Sequence, residues 1–277
     1  MTNRYEESFA QAKKSAEKAF IPFTVLGWPD ADSCFDHACA MIDAGVTALE
    51  LGLPFSDPVA DGPVIQKAAF ETLKSGFKVD DCFRLLERIR RRSQKIPIGL
   101  LLYYNLVLAQ GVAEFFARCS QVGVDAVLIA DLPIESAQEV LPQAQAAGVS
   151  LIYLVSPVTT PARLASICRN AGAFLYLVSR LGVTGTNERN DEKDARLQEI
   201  IAETRKHSSL PICAGFGISA PEHARTMFKL GADGVITGSR VVEIVRAAQS
   251  PEGARQQLSA FCHEMLEACR NFDPARR

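Results

Sequence analysis

One carboxylate interrupts an otherwise apolar run. Residues Val46 to Leu53 read as a strand, and Glu50 sits inside it. Strand side chains alternate between faces, so Leu49, Leu51 and Leu53 share one face while Ala48, Glu50 and Gly52 share the other. The leucine face suits packing against helices, and the face with small neighbours suits an enclosed interior. A carboxyl group held there is partly desolvated, which raises its pKa. It can then give and take a proton near neutral pH. The plain alternative is a structural glutamate paired to an arginine or to backbone amides, and the strand alone leaves both readings open. The next segment, Pro54 to Pro63, is rich in Pro, Gly, Ser and Asp and carries Asp57 and Asp61. An aspartate in such a loop commonly caps a turn. Asp61 is nonetheless spaced to fold back toward Glu50, and two carboxylates meeting at one pocket form an acid–base arrangement.

Glycine-rich segments supply a second chemistry. Gly215-Phe216-Gly217-Ile218-Ser219 follows one apolar run, and Gly238-Ser239-Arg240 follows the next. Glycines let backbone N–H groups approach a phosphate, and a helix N-terminus adds a favourable dipole. A lone G-x-G is weak; its pairing with Gly-Ser one unit later strengthens it. Arg240 either attracts the anion or points to solvent. Ser179 to Thr186 is a third glycine segment, running into the charged stretch Asn187 to Asp194. It reads as a glycine-hinged lid or as a plain surface loop.

The elements that must carry these residues alternate regularly. Eight apolar runs are candidate strands: Phe20–Leu26, Val46–Leu53, Ile96–Tyr103, Val124–Ala130, Val149–Val155, Ala173–Val178, Leu210–Ala214 and Gly234–Thr237. Most are continuously apolar, as expected where both faces of a parallel sheet are covered. Helical spacing fills the gaps. Val112, Phe115, Phe116, Cys119 and Val122 share a face between Gly111 and Gly123, and Cys34, Ala38, Met41 and Ile42 mark another ending near Gly45. Ser219 and Glu222 have capping-box spacing, with Pro221 in the first turn and Gly231 past the end. Pro142 is expected to kink or shorten the helical run Glu135 to Ala147. Periodicity alone does not separate a closed barrel from an open doubly wound sheet. Chemistry after several strands, with phosphate signals after the last two, favours a (β/α)8 TIM barrel with an extra N-terminal helix, one domain over residues 1–277.

Composition narrows the function classes. The 277 residues carry a net charge of −2, with no basic run interleaved with aromatics, so no nucleic-acid surface is expected. The charged stretch Met1 to Lys18 is no signal peptide, and no apolar stretch approaches the roughly 20 residues needed to span a bilayer. The eight cysteines contain no C-x-x-C pair and read as free, mostly buried thiols of a cytoplasmic protein. The four histidines, His37, His207, His223 and His263, lie far apart and read as surface or helix-flank residues, so no metal site is expected.

The run from Glu50 to Gln66, E-L-G-L-P-F-S-D-P-V-A-D-G-P-V-I-Q, resembles the long and specific signature of the tryptophan synthase alpha subunit family. The likeness extends over nearly the whole chain, through Ala19–Phe23, Gly99–Asn105, Gly123–Pro133, Tyr176–Gly185 and Gly215–Ser219. It implies a lyase that splits indole-3-glycerol phosphate into indole and glyceraldehyde 3-phosphate in tryptophan biosynthesis. By resemblance, Glu50 is the acid–base glutamate, Asp61 engages the indole N–H, and Thr184 is the lid threonine that closes on Asp61. Phe23, Leu101, Leu128 and Tyr176 fall where the family lines its indole pocket, with Tyr103 also at the site. Gly185, Phe216, Gly217, Gly238 and Ser239 fall where it holds phosphate. Pro54, Asp57 and Asn105 match positions facing a beta subunit in an alpha2beta2 assembly. The resemblance implies no cofactor in this chain, pyridoxal phosphate belonging to the beta partner. The sequence departs from the family pattern at Trp28, at Leu106-Val107-Leu108 and in the charged stretch Asn187 to Arg196.

Two rival readings stay in view. Another phosphate-binding barrel, such as an indole-glycerol-phosphate synthase or a sugar-phosphate isomerase, would share the glycines but not the Glu50 to Gln66 signature. A catalytically idle regulatory subunit would have no need of Glu50, Asp61 and Thr184.

Overall fold

A computed structural model describes residues 3–179, 190–270 and 272. The apolar runs become parallel strands: β1 (Ala19–Val25), β2 (Leu49–Gly52), β3 (Ile98–Leu102), β4 (Ala126–Ile129), β5 (Ser150–Leu151), β6 (Tyr153–Val155), β7 (Leu175–Val178), β8 (Ile212–Gly215) and β9 (Gly234–Thr237). Their order is β5-β4-β3-β2-β1-β9-β8-β7-β6. The two ends of that order, β5 and β6, are consecutive in the chain and separated only by Ile152, whose N–H donates to Val127 O at 2.9 Å. The fifth of the eight expected runs is therefore a single stave split in two, and the parallel sheet closes into the expected barrel.

Helices surround it: α1 (Arg4–Lys14), α2 (Ala31–Asp43), α3 (Pro63–Lys74), α4 (Val79–Arg92), α5 (Tyr104–Gln110), α6 (Val112–Gln121), α7 (Leu141–Ala146), α8 (Pro161–Asn170), α9 (Asn190–His207), α10 (Pro221–Lys229), α11 (Ser239–Ala247) and α12 (Pro251–Arg270). The apolar faces go inward as spaced, with Cys34, Ala38 and Met41 of α2 and Phe115, Phe116 and Cys119 of α6 fully buried. Around Pro142 the helical run divides into a 3-10 segment, Ile134–Glu139, and the short α7, with the proline in its first turn. A proline is tolerated there because the first-turn N–H needs no helical partner.

Two expectations are corrected. Ser219 and Glu222 form no capping box. Helix α10 starts at Pro221 behind Ala220, one residue too late for Ser219 to cap it, and the Ser219 N–H donates instead to His223 Nδ1 at 3.3 Å. His37 is buried rather than a surface or flank residue, because it lies on the inner side of α2 beside Cys34 and Met41.

Helix α1 lies across the N-terminal ends of the strands. Several of its side chains and that of its N-cap reach residues at or near the strand starts. Asn3 Nδ2 donates to Ser150 Oγ at 2.9 Å, Arg4 Nε to Gln94 O at 2.8 Å, and Ser8 Oγ to Thr47 O at 2.7 Å. Below it, the buried Asp125 accepts from Arg4, Arg90 and the Ile98 N–H at 2.7–2.9 Å. The acid is thereby satisfied, as a buried charge must be. Tyr5 and Phe9 supply the apolar face of α1, and both are buried.

Candidate active site

In β2 the alternation places Glu50 inward. Its Cα is in register with Phe23 of β1 and Gly99 of β3, and its side chain is only 2% exposed. Three glycines make interior room for aromatic rings. A Cβ on Gly52 would lie 2.6 Å from the Phe23 ring, one on Gly99 2.6 Å from the Tyr5 hydroxyl, and one on Gly215 2.1 Å from the Tyr176 hydroxyl. Glu50 lines one cavity with the Phe23 and Tyr176 rings. Burial, and then the nearby charge of Asp61, push its pKa up to about 8. It is a protonated acid at neutrality, and its Oε1 has no hydrogen-bond partner among the described residues.

Asp61 comes from the loop between β2 and α3. The Tyr103 hydroxyl, at the end of β3, donates to Asp61 Oδ2 at 2.9 Å and accepts the Ala60 N–H at 3.0 Å. Gln66 Nε2 donates to Asp61 O at 2.9 Å, and the rings of Phe55 and Tyr103 stack with centroids 5.1 Å apart. These contacts fold the loop back over the barrel mouth. Burial raises the Asp61 pKa, and the Tyr103 bond opposes that rise.

The other wall is backbone. After β8, Phe216 and Gly217 both adopt positive φ, 67° and 78°. Phe216 pays strain for this conformation as a non-glycine residue, and its exposed ring meets Tyr176 edge-on at 5.9 Å. After β9, α11 begins at Ser239 with Gly238 as its N-cap and no side-chain cap, leaving first-turn N–H groups free for an anion.

A cavity of about 120 Å³ joins these parts. Glu50 and Asp61 line it together with Phe23, Leu101 and Tyr176, and Phe216, Gly238 and Ser239 line it as well. The carboxyl pair, the apolar pocket and the anion-type helix terminus therefore converge on one space. Other expected residues lie elsewhere. Leu128, the register partner of Leu101, lines a separate cavity of about 360 Å³ beside Tyr153. Gly217 shapes the turn without lining the site cavity. Arg240 is half exposed and lies 3.9 Å from Glu243, on the solvent side. Thr184 and Gly185 fall outside the described residues. Asp57 and Asn105 are exposed, whereas Pro54 is buried.

Sequence reasoning passed over Gly62, Ile65 and Ile236, which also line the cavity. Ile236 was findable, since it stands two residues before Gly238 on the same strand face. Tyr5 was missed too; its i, i+4 spacing with Phe9 was the available signal. A larger cavity, about 750 Å³, lies at the opposite end between α1 and residues such as Arg205 and Asp233. Those two charges pair with each other, and Glu6, Lys13, Glu17 and Lys18 of mixed sign line the rest, so size does not identify the site.

Residues 9–270 match the family model described as tryptophan synthase alpha chain. The chain belongs to the tryptophan synthase alpha chain family. It is 39% identical over 272 residues to the tryptophan synthase alpha chain of Francisella tularensis, covering 98% of this chain and 100% of that one. It is 41% identical over 266 residues to that of Methanothermobacter thermautotrophicus, covering 96% of each. A solved tryptophan synthase alpha chain from Legionella pneumophila superposes with a TM-score of 0.88 at 29% identity, covering 98% of each chain. A tryptophan synthase structure from M. tuberculosis gives 0.85 at 26%, covering 98% of this chain and 100% of that one. Among the described residues no group of three or more His, Cys, Asp or Glu could hold a metal ion, and no helix is long and apolar enough to cross a membrane. All eight cysteines are free, six of them buried.

Proposed function

We propose that this chain cleaves indole-3-glycerol phosphate to indole and glyceraldehyde 3-phosphate, as the alpha subunit of a tryptophan synthase in tryptophan biosynthesis. The observation that carries the reading is the convergence of Glu50 and Asp61 on a ring-lined cavity whose far wall is the N-terminus of α11.

The reaction is a retro-aldol cleavage. The indole first tautomerises to an indolenine, gaining a proton at C3 and losing one at N1. Glu50, protonated at neutral pH by its burial, delivers the C3 proton. As a carboxylate it then takes the glyceryl hydroxyl proton, which triggers C–C cleavage. Asp61 takes the N1 proton as C3 is protonated and returns it to N1 as the C–C bond breaks. Phe23, Leu101 and Tyr176 hold the indole, and the Gly238–Ser239 terminus with Phe216 holds the phosphate. Neutral indole leaves without an electron sink, so the chain's own acids carry the steps.

A beta subunit is the proposed partner in an alpha2beta2 assembly in the cytoplasm, and pyridoxal phosphate is assigned to that subunit. Support comes from the segments that follow β2, β3 and β6. Val59, Leu108 and Val158 there are 79%, 49% and 71% exposed, beside the exposed Asp57 and Asn105. Exposed apolar groups gathered on one rim suit a protein interface.

The test is indole release by the purified chain, alone and with an added beta subunit. The wild-type chain is expected to release indole in both, faster with the partner. Glu50→Gln is expected to remove turnover while the protein stays folded. Turnover retained by that variant would overturn the assignment, and a wild-type chain inert in both conditions would leave only the idle-subunit reading.

A further inference from the structure

The two halves of the site are carried by different βα units, and one half-buried side chain joins them. Glu71 lies on α3, the helix that begins two residues after Asp61. Arg246 lies in the last turn of α11, the helix whose first turn faces the cavity. Arg246 Nη1 donates to Glu71 Oε1 at 3.1 Å and Nη2 to Oε2 at 3.2 Å, a two-pronged ion pair. The indole N–H of Trp28 donates to Glu71 Oε2 at 2.8 Å. The Arg246 guanidinium sits over the Trp28 ring, 5.3 Å from its centroid. Each of the three side chains touches the other two. Trp28 itself is buried on the loop after β1, and that loop is pressed on the chain beyond α3, where a Cβ on Gly27 would lie 2.5 Å from the Phe77 ring.

We infer that Glu71 is a positioning residue, which through Arg246 and Trp28 holds the phosphate-facing helix in register with the helix that follows Asp61. This rests on the proposed function, since it assigns a role toward that substrate's phosphate. A planar fork on a carboxylate fixes orientation as well as distance. Arg246 stands seven residues, roughly 10 Å, from the start of α11, so turning its end tilts the N–H groups at the other. Anion binding at a helix terminus is confined to the first turn, and a displacement of about 1 Å is costly in a site built on orientation. Partly exposed ion pairs add little to stability. The cluster's effect therefore falls on geometry rather than on the folding free energy.

Glu71 and Arg246 are 39% and 31% exposed, so their variants are expected to fold. The probe is glycerol 3-phosphate, titrated calorimetrically into Glu71→Ala, Arg246→Met and the double variant. The Kd is expected to rise three- to tenfold in each single variant, and the double variant to be no worse than the weaker single. KM for indole-3-glycerol phosphate should rise in parallel while kcat falls less than twofold. Glu71→Gln, which keeps an acceptor for Trp28, should lie between wild type and Glu71→Ala. Trp28 is the one tryptophan of the chain, so its emission should change on adding glycerol 3-phosphate to wild type, and that change should be lost in Glu71→Ala. Variants that bind the probe as well as a binding wild type would overturn the inference alone, whatever their Tm. A wild type that does not bind it would overturn the functional reading and this inference with it.

Discussion

The hydroxyl of Tyr103 stands between Asp61 and the backbone of Ala60, donating to the first at 2.9 Å and accepting from the second at 3.0 Å. It therefore does two things at once, holding the loop closed and favouring the charged form of the acid. Tyr103→Phe should lose both. Burial then acts on Asp61 unopposed, and its pKa moves further up. The acid limb of the kcat/KM profile should shift to higher pH, with about a tenfold loss near neutrality, in line with a hydrogen bond to a charged group. An unmoved acid limb would detach Asp61 ionisation from the rate.

Glu50 makes folding stability fall as pH rises. Its pKa is about 8 in the folded chain against 4.5 ordinarily, so between those values the folded state binds more protons than the unfolded one. Stability is then fully present below about pH 4.5 and declines until about pH 8, on the order of 5 kcal/mol at most. Glu50→Gln removes this dependence. Urea denaturation of both proteins from pH 5 to 9 should show a sloping wild type and a flatter variant, the variant being the more stable at pH 8. Parallel curves would mean that Glu50 is solvated.

Gly215→Ala tests the space claimed by Tyr176. The added methyl would sit 2.1 Å from the hydroxyl and 2.3 Å from Cζ of a buried ring. That ring must move into the site cavity. We expect about 1–3 kcal/mol lost to overpacking and at least a tenfold drop in kcat/KM, read from thermal denaturation and indole release. Wild-type values in both would show the ring to be elsewhere.

Arg90→Ala should be a stability variant without a catalytic signature. It strips one partner from Asp125, which is 5% exposed at the N-terminal end of the barrel. Leaving a buried charge short of its partner costs about 3–5 kcal/mol. The folded fraction should keep its kcat, since the pair lies away from the cavity. A large fall in kcat at full folding would mean that strain reaches Glu50 through the strands.

Much of this was legible in residue order. The eight staves were readable because a strand covered on both faces must be apolar throughout. The inward turn of Glu50 followed from period two, and the Gly238-Ser239 pair marked a helix start that lines the cavity. Details that depend on through-space packing were not readable. The split at Ile152 comes from local pairing that no composition signals. The Ser219 box failed because the register of a helix start is set by the strand before it, not by spacing alone. Tyr5 was hidden by the charges around it, and the Glu71 cluster joins residues 43 and 175 positions apart.

The helix that precedes the first strand is also the barrel's floor. Tyr5 reaches up far enough that Gly99 cannot carry a side chain, and its ring stands on the underside of the acid's chamber. A chain lacking that segment would admit solvent from below. Glu50 would drift back toward the acidity of a free glutamate and would no longer hold a proton at pH 7. Helix α1, far in sequence from Glu50 and Asp61, thus helps decide whether the proposed general acid carries its proton.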